Sequence, residues 1–253
     1  MKLIINIIII FLISITLNAR EIGETEITTE DGIEVFQNEK FYLLKKNVKI
    51  VSDNFTLSAD EVKINFDKSL YDITELDANG NVDFKSNEFE TSGSGNYLNF
   101  KVKVEKIKVE GVGSQLITSD VNMFSDGFIE VSNLNGDFLL KGTNSKLVNE
   151  NIIIKAETIN GNFSEKANEK EITYLEVIDK NISYVKNNDT EMYAKKINFD
   201  YDTSIIELID DVIIIRNEEK ITGDYGTLDT RNNSYKIKSN NQNKVKVIIQ
   251  NNE

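Results

Sequence analysis

The fold is decided by Phe55-Thr56-Leu57-Ser58-Ala59-Asp60-Glu61-Val62-Lys63-Ile64-Asn65-Phe66. Phe55, Leu57 and Ala59 stand at every second position, and so do Val62, Ile64 and Phe66. A period of two puts alternate side chains on one face of an extended chain, which is the pattern of a strand with one face buried and one in water. A helix would need apolar residues three and four apart. Ala59 shares the face of Leu57, so a small side chain sits where a larger one would point inward. Such a position either lets two backbones approach or leaves space beside a core.

The same reading extends outward from this stretch. Val48-x-Ile50, Leu98-x-Phe100-x-Val102-x-Val104, Ile197-x-Phe199-x-Tyr201 and Val245-x-Val247-x-Ile249 all alternate. Turn chemistry separates the runs, as in Asp31-Gly32, Asp53-Asn54, Asn79-Gly80, Asn135-Gly136, Asn160-Gly161 and Asn187-Asn188, where side chains tolerate or favour the left-handed backbone of tight turns. The chain has no Pro, so Gly, Asn and Asp carry the punctuation. An all-β class is expected.

Two phrases recur. In the first, an apolar residue is followed by a short linker holding Gly, Asn or Asp and then by apolar-x-apolar, as in Leu44 to Ile50 and Leu76 to Phe84. Weaker copies centre on Val112, Ile152, Ile182, Val212 and Val245, spaced 30 to 40 residues apart. That period signals a stack of units, each with room for two strands and two turns. The second phrase is apolar-x-(Ala or Gly)-x-x-apolar: Leu57 to Val62, Ile154 to Ile159, Met192 to Ile197, and more loosely around Gly93, Gly142 and Gly223.

Composition removes most enzyme chemistries. Among 253 residues there is no His and no Cys, hence no imidazole base, thiolate nucleophile or zinc site of the nitrogen–sulfur type, and no cofactor is indicated. Asp210-Asp211 and Glu218-Glu219 are the candidate carboxylate pairs for glycan cleavage, but adjacent strand residues point to opposite faces, so they are poorly placed for it. With 29 Lys+Arg against 42 Asp+Glu, the net charge is −13, which repels a phosphate backbone and makes a nucleic-acid partner unexpected. The basic stretches, Lys45-Lys46, Lys101 to Lys108 and Arg231 to Lys246, read as solvated outer faces.

The first residues stand apart. Met1-Lys2 precedes an apolar run from Leu3 to Leu17, and Asn18-Ala19-Arg20 follows it. As a helix the run spans roughly 22 Å, short of a hydrocarbon core of about 30 Å, and Ala19 suits cleavage. Residues 1–19 are therefore expected to be a signal helix cleaved on export, with a retained anchor as the open alternative. Residues 20–40 then form a lead-in, and 41–250 the β domain.

Taken together, the leader and the tandem units Leu57 to Phe66 and Ala78 to Phe84, with Ile221 to Ile237 as a closing unit, resemble the OstA-like repeats of lipopolysaccharide transport proteins, and the LptA type within that family best. The resemblance implies an incompletely closed β-jelly roll in the periplasm whose apolar groove shields the acyl chains of lipid A. Copies would join head to tail by strand addition, bridging an inner-membrane LptC-like and an outer-membrane LptD-like protein. Alternation places Val48, Ile50, Leu57, Ile64, Phe66, Val82, Phe84, Phe100, Ile197, Phe199 and Ile214 inward; that lipid meets them follows from the resemblance alone. Val245, Val247 and Ile249 mark an assembly edge, since nothing in that last strand blocks pairing except Lys244 and Lys246. The alternative is an exported parallel β-helix, an adhesin or a polysaccharide-binding or polysaccharide-cleaving protein, whose coils would repeat at shorter intervals.

Overall fold

A computed structural model describes residues 23–69, 72–150, 152–166, 169–216, 219–232, 234–240 and 244–249. Residues 1–19, expected to be a signal helix, lie outside them, and among the described residues no helix is long and apolar enough to cross a membrane. The lead-in supplies two short strands, β1 (Glu26–Thr28) and β2 (Ile33–Phe36), followed by the long strands β3 (Phe41–Val51), β4 (Phe55–Phe66), β5 (Ile73–Ser86) and β6 (Thr91–Lys101). Four short strands come next, β7 (Lys106–Glu110), β8 (Ser114–Ile117), β9 (Asn122–Ser125) and β10 (Phe128–Ser132). A second long series runs through β11 (Asp137–Val148), β12 (Ile152–Lys166), β13 (Glu169–Asn187), β14 (Thr190–Asp200), β15 (Ile205–Arg216) and β16 (Glu219–Asp229), and β17 (Ser234–Lys238) and β18 (Lys246–Ile249) close the stack.

The architecture follows from one feature of the registers. The pairings between successive long strands are interrupted near mid-strand by a slip, for example between Lys45 and Val48, Ser58 and Glu61, Ile178 and Ser183, and Ile209 and Val212. A bulge bends the strand that carries it, so these slips fold the sheet along one line into two half-sheets that share the long strands. At each end the half-sheets are completed separately: β3 pairs with β2 in one half and β1 in the other, and β16 pairs with β17 in one and β18 in the other. In mid-stack, β7 and β10 complete one half where β8 and β9 complete the other. The result is an all-β open jelly roll, lengthened by about 4.8 Å for each added strand. Its ladders are antiparallel, which rules out a parallel β-helix.

The recurring phrases are the corners of this fold. Val48, Val82 and Val212 follow corners in which two successive residues have left-handed backbone: Lys46 and Asn47, Gly80 and Asn81, Asp210 and Asp211. Asn, Asp and Gly accept that conformation at least cost. At Gly80, φ is +73° and an added Cβ would lie 2.2 Å from Asp60 Oδ2, so glycine relieves backbone strain there and leaves the Asp60 side chain in place. The second phrase marks the returning corners. Ala59, Ala156 and Ala194 are buried, and each forms the bulge together with the residue after it, which lets Val62, Ile159 and Ile197 face inward again.

Four repeat copies are placed differently by the structure: Val112 is an exposed turn residue between β7 and β8, Ile182 is exposed one residue before the inward Ser183, Val245 is exposed just before β18, and the fourth is Ile152. Ile152 is not at a corner but at the start of β12; the corner of that unit spans Gly142 to Ser145 on β11. The apolar signal is missing there because Ser145 stands where the corners of β3, β5 and β15 have Val48, Val82 and Val212, and its Oγ donates to the Gly142 carbonyl at 3.0 Å. Ser183 does the same at the β13 corner, donating to the Lys195 carbonyl at 3.3 Å. A buried hydroxyl is tolerated because the bulge leaves a carbonyl in need of a donor.

Candidate functional site

The two half-sheets face each other across one continuous apolar core that includes Leu44, Val62, Leu98, Ile129, Leu140, Ile159 and Met192. Large rings fill it in the first half of the stack. Phe84 lies over Gly93 and Phe138 over Gly161, where added Cβ atoms would come within 2.7 Å and 2.4 Å of the rings, and Phe138 packs on Phe163 with centroids 4.4 Å apart. Here a missing side chain on one strand makes room for an aromatic on the next.

Between β12 and β16, beyond the Phe138–Phe163 pair, branched aliphatics predominate and a cleft of about 630 Å³ opens between the half-sheets. Ile172, Leu175, Ile197, Phe199 and Ile206 line it from one half, and Ile152 and Val185 from the other. Its mouth lies opposite the corners, among turn residues that include Asp120, Asn149, Glu150, Asn188, Tyr201 and Thr230. The space is sized for a small ligand, and its apolar lining suits hydrocarbon.

Of the eleven residues expected to face inward, nine are buried: Val48, Ile50, Leu57, Ile64, Phe66, Val82, Phe84, Ile197 and Ile214. Phe100 and Phe199 are partly buried against the same core. Ile197 and Phe199 line the cleft; the other nine pack in the core outside it. Ile152, Ile172, Leu175, Val185 and Ile206 line the cleft without having been among the residues expected to face inward. Their alternation is visible, but the slips between Asn162 and Phe163 and between Ile178 and Ser183 reset its phase on the strands that matter.

The candidate carboxylates are not brought together. Asp210 and Asp211 occupy an outer corner, where Asp211 pairs with Lys195 at 2.9 Å; Glu218 lies outside the described residues. The basic stretches are largely matched by acids: Lys45 by Glu34 at 3.0 Å, Lys46 by Asp31 at 3.6 Å, Lys106 by Glu130 at 2.7 Å and Arg231 by Asp229 at 3.0 Å.

No protein-family model and no curated protein matches the chain. Among solved structures it is similar to that of LptH, the LptA-homologous periplasmic component of the lipopolysaccharide transport device from Pseudomonas aeruginosa. The identity is 13% and the TM-score 0.42, over 52% of this chain and 95% of that one. A likeness of that size leaves function to the site itself.

The ends of the stack complete the description. Val245, Val247 and Ile249 are exposed, the last two by 53% and 61%, and β18 is bonded on one side only, to β16, among the described residues. At the other end, Ile33 and Val35 of β2 are exposed by 51% and 48%, and among the described residues β2 is bonded only to β3.

Proposed function

We propose that the chain is a periplasmic lipopolysaccharide carrier: the cleft between the half-sheets receives acyl chains of lipid A, the saccharide stays in water, and the two open ends take up further strands. The cleft carries this reading. It is a space with an apolar floor and a polar mouth, entered from solvent along one side of an otherwise packed core, and burying hydrocarbon on that floor is worth roughly 0.8 kcal/mol per CH₂. The open ends support the bridging part, because an edge strand with exposed apolar side chains and no Pro is a template for strand addition. On this reading its partners are further copies, an LptC-like protein at the inner membrane and an LptD-like protein at the outer membrane.

Filling the cleft tests the carrier function. Val185→Trp is expected to lower lipopolysaccharide binding about tenfold or more, read by native mass spectrometry, with an unchanged far-ultraviolet circular dichroism spectrum. Ile152→Trp, nearer the mouth, provides a second variant under less packing strain. Folded variants that bind as the parent does would place the lipid elsewhere and remove the reading.

A further inference from the structure

The outer face of one half-sheet changes character part-way along the stack. Two adjacent rows of outward side chains cross β9, β11 to β16 and β18 in register. Lys146, Lys155, Lys186, Lys220 and Lys246 lie in these rows, and Glu191 is their one acid. Phe124, Ile153, Tyr184, Tyr193, Ile213 and Ile215 stand among them, each partly exposed. Where the same rows cross β4 and β6 they carry Thr56, Ser58, Ser92 and Ser94 instead. A strip of lysines on an apolar bed is thus confined to the second half of the stack, in a chain whose net charge is −13.

Two of these lysines are not held by acids. Lys146 and Lys155 are direct cross-strand neighbours, and among the described residues neither is ion-paired. Their ammonium groups lie over the Phe124 and Tyr184 rings, at 5.8 Å and 5.5 Å. Like charges directly opposite each other weaken a ladder, and an external anion removes that cost. A protein partner fits the strip poorly, since protein interfaces are depleted in Lys. Lysines interleaved with Tyr and Ile suit anionic lipid headgroups better: the ammonium reaches the phosphates while its stem and the apolar neighbours lie against the acyl boundary.

We infer that this strip docks on an anionic bilayer surface, with Lys146 and Lys155 at the lipid phosphates. The inference does not depend on the cleft, but it gives the cleft a position. Asn149 and Asn188 of the mouth lie one and two residues beyond Val148 and Lys186 of the strip, so a docked chain has its mouth beside the lipid. The strip runs along the side of the stack, which leaves both ends free for strand addition.

The test is sedimentation of the full protein with vesicles of phosphatidylcholine alone and of equimolar phosphatidylcholine and phosphatidylglycerol. The protein is expected to sediment with the second and stay in solution with the first. Replacing Lys146 and Lys155 together by Gln is expected to weaken binding about tenfold or more. The same replacement of Lys236 and Lys238, exposed on the outer face of the other half-sheet, removes equal charge and is expected to change binding by less than about twofold. Both pairs are on the surface, and an unchanged circular dichroism spectrum confirms the fold. No sedimentation with the anionic vesicles, equal sedimentation with both kinds, or equal losses in the two double variants would overturn the inference. Retention of the parent on immobilised heparin without vesicle binding, abolished in the Lys146 and Lys155 variant, would assign the strip to an acidic polysaccharide and overturn it as well. A chain that binds anionic vesicles through the strip but takes up no lipopolysaccharide would keep this inference while the carrier reading falls.

Discussion

Gly161 and the tyrosines show how individual residues hold this fold. A Cβ at Gly161 would approach the Phe138 ring to 2.4 Å and the Tyr174 carbonyl to 2.6 Å, and the carbonyl belongs to a bonded strand that cannot retreat. Gly161→Ala is therefore expected to cost about 1–3 kcal/mol, read as a lower urea midpoint at unchanged slope. On the outer face, Tyr193 donates to Glu191 at 2.9 Å. Desolvation first, then that carboxylate, pushes its hydroxyl up to about 12. The causes are the same for Tyr97 beside Asp77, whose pKa is also raised. Raised tyrosine pKa values favour the folded state with the phenol neutral. That stability is complete below pH 10, the ordinary value, and is lost as pH climbs toward 12. The thermal midpoint should fall over that interval together with a late tyrosinate absorbance change, and Tyr193→Phe should blunt both; a midpoint flat through the interval would contradict this.

Strands and corners were legible to different degrees. Alternation in Phe55 to Phe66 and Ile197 to Tyr201 reads directly as strand, because each side chain is either in or out and the burial pattern of β4 repeats that choice. The small residue of the second phrase is visible as well, and the structure supplies its reason: Ala59, Ala156 and Ala194 stand opposite Val48, Ser145 and Ser183 at the fold line, where two half-sheets converge. What the sequence hid was the phase. A bulge adds residues without changing their apolar character, so Ile152 looked like a corner residue and Ser145 did not. The cleft suffered most from this, since Ile172 and Val185 sit on either side of the longest slip. In the same way, β1 and β2 were hidden in the lead-in, because strands of three and four residues show too little periodicity to stand out from a loop.

The whole molecule is a stack that nothing in its described residues closes at either end. A closed barrel removes its edges, whereas this arrangement keeps two, with Ile33 and Val35 at one and Val247 and Ile249 at the other. The two ends differ, so contact between them is heterologous and propagates in one direction rather than stopping at a dimer. Replacing Val247 and Ile249 together by Lys is expected to shift light-scattering mass toward the monomer without altering the circular dichroism spectrum, since both side chains are already in water. Raising salt should strengthen association of the parent chain, because its charge of −13 opposes assembly through a screened repulsion. An unchanged mass distribution in the double variant would move the contact away from β18.

The most direct measurement places a photoreactive residue at Phe199, inside the cleft, and in a separate variant at Lys63, which lies on the outer face over the Phe41 ring at 4.4 Å, and irradiates each with purified lipopolysaccharide. A lipid adduct at Phe199 and none at Lys63 is the expected result. Adducts at Lys63 alone, or at neither position in folded protein, would contradict a lipid-carrying cleft.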